Sequence, residues 1–99
     1  MITFVRRARM RNGHFGEAMD VLRKRLDYIE RQHGVRIDLN VRFGGPVGEV
    51  ALVSRHADAG ELELFRRKIM ADVGSGHLLE ELAPFMLPGE THDEIWMAQ

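Results

Sequence analysis

Residues 35–43 alternate without a break: Val35, Ile37, Leu39, Val41 and Phe43 are apolar, and Arg36, Asp38, Asn40 and Arg42 stand between them. A side-chain period of two belongs to a β-strand, with the first set on one sheet face and the second set on the other. Gly44-Gly45-Pro46 supplies turn chemistry, and Glu49 to Arg55 (Glu-Val-Ala-Leu-Val-Ser-Arg) reads as the returning strand. The pattern predicts an antiparallel hairpin whose apolar face needs a cover.

The flanking segments carry a different period. Phe15, Met19, Leu22, Leu26 and Ile29 recur at steps of four, three, four and three, which is one stripe of an amphipathic helix. Asp20/Lys24 and Asp27/Arg31 sit at i,i+4 on the solvated side, acid first, and Gly34 supplies the stop. The helix is expected over Gly16 to His33, about 27 Å long. After the hairpin, Asp58 opens a second helix, with Glu61 three residues on as the reciprocal half of a capping box. Leu62, Phe65, Ile69 and Val73 form its stripe, Gly74-Ser75-Gly76 interrupts it, and His77 to Leu82 adds one or two further turns.

Ile2 to Met10 reads as a first strand ended by Asn12-Gly13. Thr91 to Met97 reads as a last strand after a loop bracketed by Pro84 and Pro88. The order β-α-β-β-α-β predicts an α+β, ferredoxin-like domain covering residues 1–99, with two helices on one face of a four-stranded antiparallel sheet.

Composition narrows function by exclusion. A chain of 99 residues, 44% apolar and 29% charged, suits one globular domain rather than two or a disordered segment. A formal charge of −1 exerts no general pull toward nucleic acid or acidic membranes. The lack of cysteine removes disulfides, thiolate metal sites and cysteine nucleophiles, and fits a reducing cytoplasm. No apolar run approaches a membrane span, and Met1 to Val5 meets Arg6 and Arg7 too soon for a secretory segment. A soluble cytoplasmic protein is the expectation.

Function is sought on the sheet face that the helices leave open. The hairpin brings Arg36, Asp38, Asn40 and Arg42 to that face. The first strand adds Thr3, Val5 and Arg7 or its opposite set, and the last adds either His92, Glu94 and Trp96 or Thr91, Ile95 and Met97. A mixed polar and apolar face suits a partly wet cavity between two facing sheets, and equally a plain exposed sheet. Among His14, His33, His56, His77 and His92 no ligand pair at helical spacing occurs, so no metal site is expected. His33 suits the negative end of a helix. His77 and His92 flank the late loop and join Trp96, the only tryptophan, as candidates to line a pocket. The candidate ligand-binding set is Arg36, Asp38, Asn40, Arg42, His77, His92 and Trp96.

Other groupings have plainer explanations. His92-x-Glu94 lacks the downstream cysteine pair of a zinc deaminase. Arg6, Arg7, Arg9 and Arg11 lie on a strand that pairs with the one carrying Asp93 and Glu94, so cross-strand ion pairs account for part of the cluster. Gly74-Ser75-Gly76 matches neither a phosphate loop nor a hydrolase elbow, and no cofactor is implied.

The opening Met-Ile-Thr-Phe-Val-Arg, with Arg11-Asn12-Gly13 and Glu17, resembles the start of bacterial NIPSNAP-type proteins. Gly45-Pro46-Val47-Gly48-Glu49-Val50 is similar to that family's Gly-Pro hairpin, and the Arg55-His56-Ala57-Asp58 step into a charged helix is similar too. The chain departs from the family in its first strand, where Thr3 and Phe4 replace aromatic and acidic residues, and in its third, which has no tryptophan. The resemblance implies a homodimeric α/β barrel, a fold shared with antibiotic-biosynthesis monooxygenases and haem-degrading enzymes. It implies no single chemistry, because function resides in the site rather than the fold.

Three functions follow for comparison. The first is a small-molecule site between the sheets, at most that of a cofactor-independent monooxygenase. The second is a non-catalytic accessory domain that uses the sheet face only to dimerise. The third, RNA binding, requires stacking aromatics in the third strand, where Glu49-Val50-Ala51-Leu52-Val53 has none. The first is preferred, with no nucleic-acid or membrane partner.

Overall fold

Strand β1 (Ile2–Arg9) is the middle of the structure, a computed structural model that describes residues 1–99. It is followed by α1 (Phe15–His33), β2 (Asp38–Val41), β3 (Glu49–His56), α2 (Ala59–Ala71), α3 (Val73–Leu82), a short 3-10 turn (Ala83–Phe85) and β4 (His92–Met97). The sheet runs β2-β3-β1-β4 with every pair antiparallel, the ferredoxin-like order. Its register places Phe4 between Ser54 and Ile95, and Val5 between Val53 and Glu94.

Register decides which side chains share a face. Even-numbered residues of β1 face the helices, where Ile2 and Ala8 are buried along with their partners His56 and Val50. Odd-numbered ones turn to the open face. There Thr3, Val5 and Arg7 stand opposite Trp96, Glu94 and His92, which settles the parity of the two outer strands. The α1 stripe is the heart of the core. Met19, Leu22 and Leu26 pack with Ala8, Met10, Val50 and Leu82, each large side chain contributing about 1.5–3 kcal/mol by burial. Gly34 ends α1 at φ 70°, its N–H bonded to the Glu30 carbonyl.

The alternating segment is longer than the strand it forms. Only Asp38–Val41 pairs with β3. Two residues earlier, continued pairing would set Arg36 opposite Arg55, a like-charge pair that destabilises a ladder. Asp38 instead takes ion pairs from both arginines, at 3.0 and 3.6 Å. At the other end Arg42 closes the loop, its N–H on the Glu49 carbonyl and its guanidinium on the Glu49 carboxylate, and Phe43 beyond it is fully exposed.

The second helical segment divides differently from expectation. Asp58 caps α2 by accepting from the Glu61 N–H, but Glu61 returns to the N–H of Ala57, one residue before the cap. The break falls at Asp72, not at Gly74-Ser75-Gly76, which form the first turn of α3. Val73 therefore leaves the α2 stripe and is exposed.

Asp72 explains the break. Its carboxylate accepts from the Tyr28 hydroxyl at 2.7 Å and the Ser75 N–H at 3.1 Å, and it meets His33 Nε2 at 2.7 Å. These three contacts cap α3 and tie it to α1. Gly74 is required for closeness rather than for turning, since a Cβ there would overlap the Tyr28 hydroxyl.

Two outcomes are expected. The hydrogen bond from Tyr28, then those from Ser75 and His33, hold the Asp72 carboxyl down at about 2 against an ordinary 3.8. A depressed carboxylate adds stability that is complete above its unfolded value and drains as pH falls toward the folded one. Acid titration followed by circular dichroism should show a stability loss between pH 3.8 and about 2 that Asp72→Asn removes, along with a lower melting temperature at neutral pH. Gly74→Ala, which in an open helix stabilises by about 1 kcal/mol, should here destabilise by about 1–3 kcal/mol in denaturant unfolding.

Candidate functional site

The more enclosed of the two main hollows in this protein lies between the helical layer and the sheet. Helix α2 packs chiefly against α3 and β3, and a cleft of about 360 Å³ remains beneath it. Phe4, Arg6, Leu52 and Ser54 line its floor, Arg25 and Ile29 of α1 one wall, and Phe65, Arg66 and Ile69 of α2 the other. Most of the lining is apolar, as in small-molecule sites of this size.

Three guanidinium groups border this apolar space. Arg6 is on the inward parity of β1 and forms a two-pronged bond to Asp93 at 2.8 and 2.9 Å. That bond raises the Arg6 pKa and lowers that of Asp93. Arg25 donates to the carbonyl and hydroxyl of the buried Ser75 at 3.3 and 3.1 Å. Burial, then the nearby Arg6 charge, pulls its pKa down. Arg6 and Arg66 both lie over the Phe4 ring, 5.7 and 5.9 Å from its centre. Against these three cations stands one bonded carboxylate, Asp93.

At the end of the floor, Ser54 Oγ is 2.9 Å from His56 Nε2, both residues buried. The far ring nitrogen, Nδ1, has no hydrogen-bond partner and stands 3.5 Å from Glu61 Oε1. The Phe65 ring tilts against the imidazole with centroids 5.3 Å apart.

The residues proposed from sequence fall mostly on the other side of the sheet. Arg36, Asp38 and Asn40 border a broad depression of about 950 Å³ at the β2 edge, with Asp27, Glu30 and Arg55. It is larger than the cleft but open to solvent, and both of its arginines are already engaged by Asp38. Arg42 is engaged at the hairpin loop. His92 and Trp96 share the open face with Glu94, which accepts from the Trp96 indole N–H at 3.2 Å. His77 is exposed on α3, in the helical layer, and does not join them.

The arginine cluster resolves residue by residue. Arg6 pairs with Asp93 and Arg7 with Glu94, while Arg9 and Arg11 bond the carbonyls of Val47 and Pro84. Sequence reasoning missed Arg25, Arg66, Ser54 and His56 as a group. The available signal was Arg6 itself, an arginine between Phe4 and Ala8 on one strand face. No three His, Cys, Asp or Glu side chains converge as a metal site requires. No helix is long and apolar enough to cross a membrane.

No protein-family model and no curated protein matches the sequence. Solved structures do match in fold. An uncharacterized NIPSNAP domain protein from Burkholderia xenovorans superposes with TM-score 0.87 over 100% of this chain and 95% of its own, at 15% identity. A NIPSNAP family protein from Agrobacterium tumefaciens gives 0.83 over 99% and 85%, at 19% identity. SnoaB, a cofactor-independent oxygenase from Streptomyces nogalater, gives 0.71 over 99% and 92%, at 18% identity. At such identities the likeness is one of fold: this chain has the ferredoxin-like α+β architecture of NIPSNAP domain proteins and of dimeric α/β barrels of the antibiotic biosynthesis monooxygenase type.

Proposed function

We propose that this chain is a homodimeric small-molecule-binding protein whose helix–sheet cleft receives an anion with a compact apolar body. The observation that carries this reading is the excess of guanidinium over carboxylate around an apolar cleft: Arg6, Arg25 and Arg66 against Asp93. Like charges gathered where water is partly excluded repel one another, and an anionic ligand relieves that cost while its body covers Phe4, Phe65 and Ile69. The cleft replaces the inter-sheet pocket expected from sequence as the place for the ligand. The lack of cysteine supports a cytoplasmic, reducing setting.

The homodimer is supported by the open face. Val5, Ala51 and Val53 form its half-buried apolar centre, ringed by the charged Arg7/Glu94 and Arg36/Asp38/Arg55 groups. An apolar centre with a polar rim is the anatomy of an interface. On the edge strand β4, Ile95, Trp96 and Met97 are 56%, 61% and 70% exposed, and such an edge calls for a partner.

Calorimetric titration with benzoate should show binding that Arg66→Ala weakens about tenfold and Asp93→Asn strengthens. Absence of binding by benzoate and larger aromatic carboxylates would defeat the ligand reading. Native mass spectrometry should give twice the 11.3 kDa chain mass. Val53→Arg should weaken the dimer by roughly 30-fold or more, the factor equivalent to losing about 2 kcal/mol. A monomer at micromolar concentration would defeat the dimer.

A further inference from the structure

Three groups stand in series at the end of the cleft floor. Ser54 Oγ lies 2.9 Å from His56 Nε2, and His56 Nδ1 lies 3.5 Å from Glu61 Oε1. The His56 side chain has no exposure, and its Nδ1 is a buried polar atom without a hydrogen-bond partner. Glu61 is anchored beside it, because its other oxygen accepts the Ala57 N–H at 2.6 Å. A carboxylate on the Nδ1 side favours the tautomer protonated there, which leaves Nε2 free to take the Ser54 proton. Distances in such series are commonly long in the empty site and tighten around substrate.

Ser54 also opens onto the cavity, across the strand pair from Phe4, over whose ring Arg6 and Arg66 lie. A serine–histidine bond serving packing alone needs neither a carboxylate at Nδ1 nor a cavity at Oγ. We infer that Ser54 is a nucleophile, His56 its base and Glu61 the residue that positions the base. The cleft then hydrolyses small carboxylic esters that carry an anionic group on an apolar body. This activity rests on reading the cleft as an anion site.

The step balances with water as co-reactant. Ser54 Oγ bonds to the acyl carbon as its proton passes to Nε2. The ester C–O bond breaks, and the leaving alkoxide departs with that proton. Water, deprotonated by the same nitrogen, then attacks the acyl carbon; the bond to Ser54 Oγ breaks, Nε2 returns the proton to Oγ, and the carboxylic acid leaves. Arg6 and Arg66, over the Phe4 ring beside Ser54, are the cationic donors the cleft offers to charge developing on the acyl oxygen.

Two measurements on the intact protein test the inference. Phenylmethanesulfonyl fluoride, followed by intact mass and peptide mapping, should modify Ser54 with loss of fluoride. Hydrolysis of 4-acetoxybenzoate should vanish in Ser54→Ala and fall about 100-fold in His56→Gln. Glu61→Gln, which keeps an acceptor for Ala57, should slow both reactions and alter their pH profile while the melting temperature stays near that of the wild type.

An unmodified Ser54 in folded protein, or an unchanged hydrolysis rate in Ser54→Ala, overturns the inference. Benzoate binding without Ser54 modification would retain the ligand reading and remove the catalytic one. Ser54 modification without benzoate binding would retain the nucleophile and overturn both the ligand reading and the preference for anionic esters.

Discussion

The Asp72 carboxylate pins the helical layer. It receives the Tyr28 hydroxyl and the Ser75 N–H and meets the His33 imidazole, so the end of α1 and the start of α3 are joined at one point. The chain must turn there, and α2 ends one residue before it. With α3 held against α1, Arg25 reaches Ser75 and stands at the cleft wall rather than in solvent. Helix α2 is left to lean on β3 and α3, and the space beneath it stays open. The cleft is a consequence of where the helices are fastened.

The second organising constraint is alternation along β1. Neighbouring arginines on one strand are sent to opposite sides of the sheet. Arg6 goes inward to Asp93 and the cleft, and Arg7 goes outward to Glu94 and the open face. The last strand answers in register with two adjacent acids, one for each side. A cluster that looks like one anion site in the sequence is therefore divided: Arg6 and Arg7 take carboxylates on opposite sides of the sheet, Arg9 and Arg11 take backbone carbonyls, and the cleft carries a positive surplus beyond Arg6. That surplus comes from helices: Arg25 and Arg66 approach from α1 and α2.

Likeness to known structures spans the full scaffold and stops there. Residues of the cleft come from both layers of the fold, and only Leu26 is shared with the core cluster of Ala8, Met10, Ala18, Met19, Leu22, Leu26, Val50 and Leu82. Scaffold and site can thus diverge independently, which is why chemistry has to be argued from Arg6, Arg25, Ser54 and His56 themselves.

Much of the architecture was legible from periodicity. The α1 stripe, the 38–56 hairpin, the Asp58 cap and the element order are local properties, and each follows from side-chain spacing or backbone chemistry within a few residues. The open-face parity of Arg36, Asp38 and Asn40 was legible for the same reason. Long-range effects were not. The shortening of β2 depends on Arg36 meeting Arg55, and the glycines at 74 and 76 read as a break because the Tyr28 ring that closes on Gly74 comes from a distant helix. The cleft joins residues from 4 to 79, and the pairing of Ser54 with His56 gains meaning only when Glu61 and the cavity are beside it. Sequence by itself determined the elements and their faces, because hydrophobic period and capping act locally. Tertiary structure alone decided where the charges converge, because that depends on register and on where the helices are tied down.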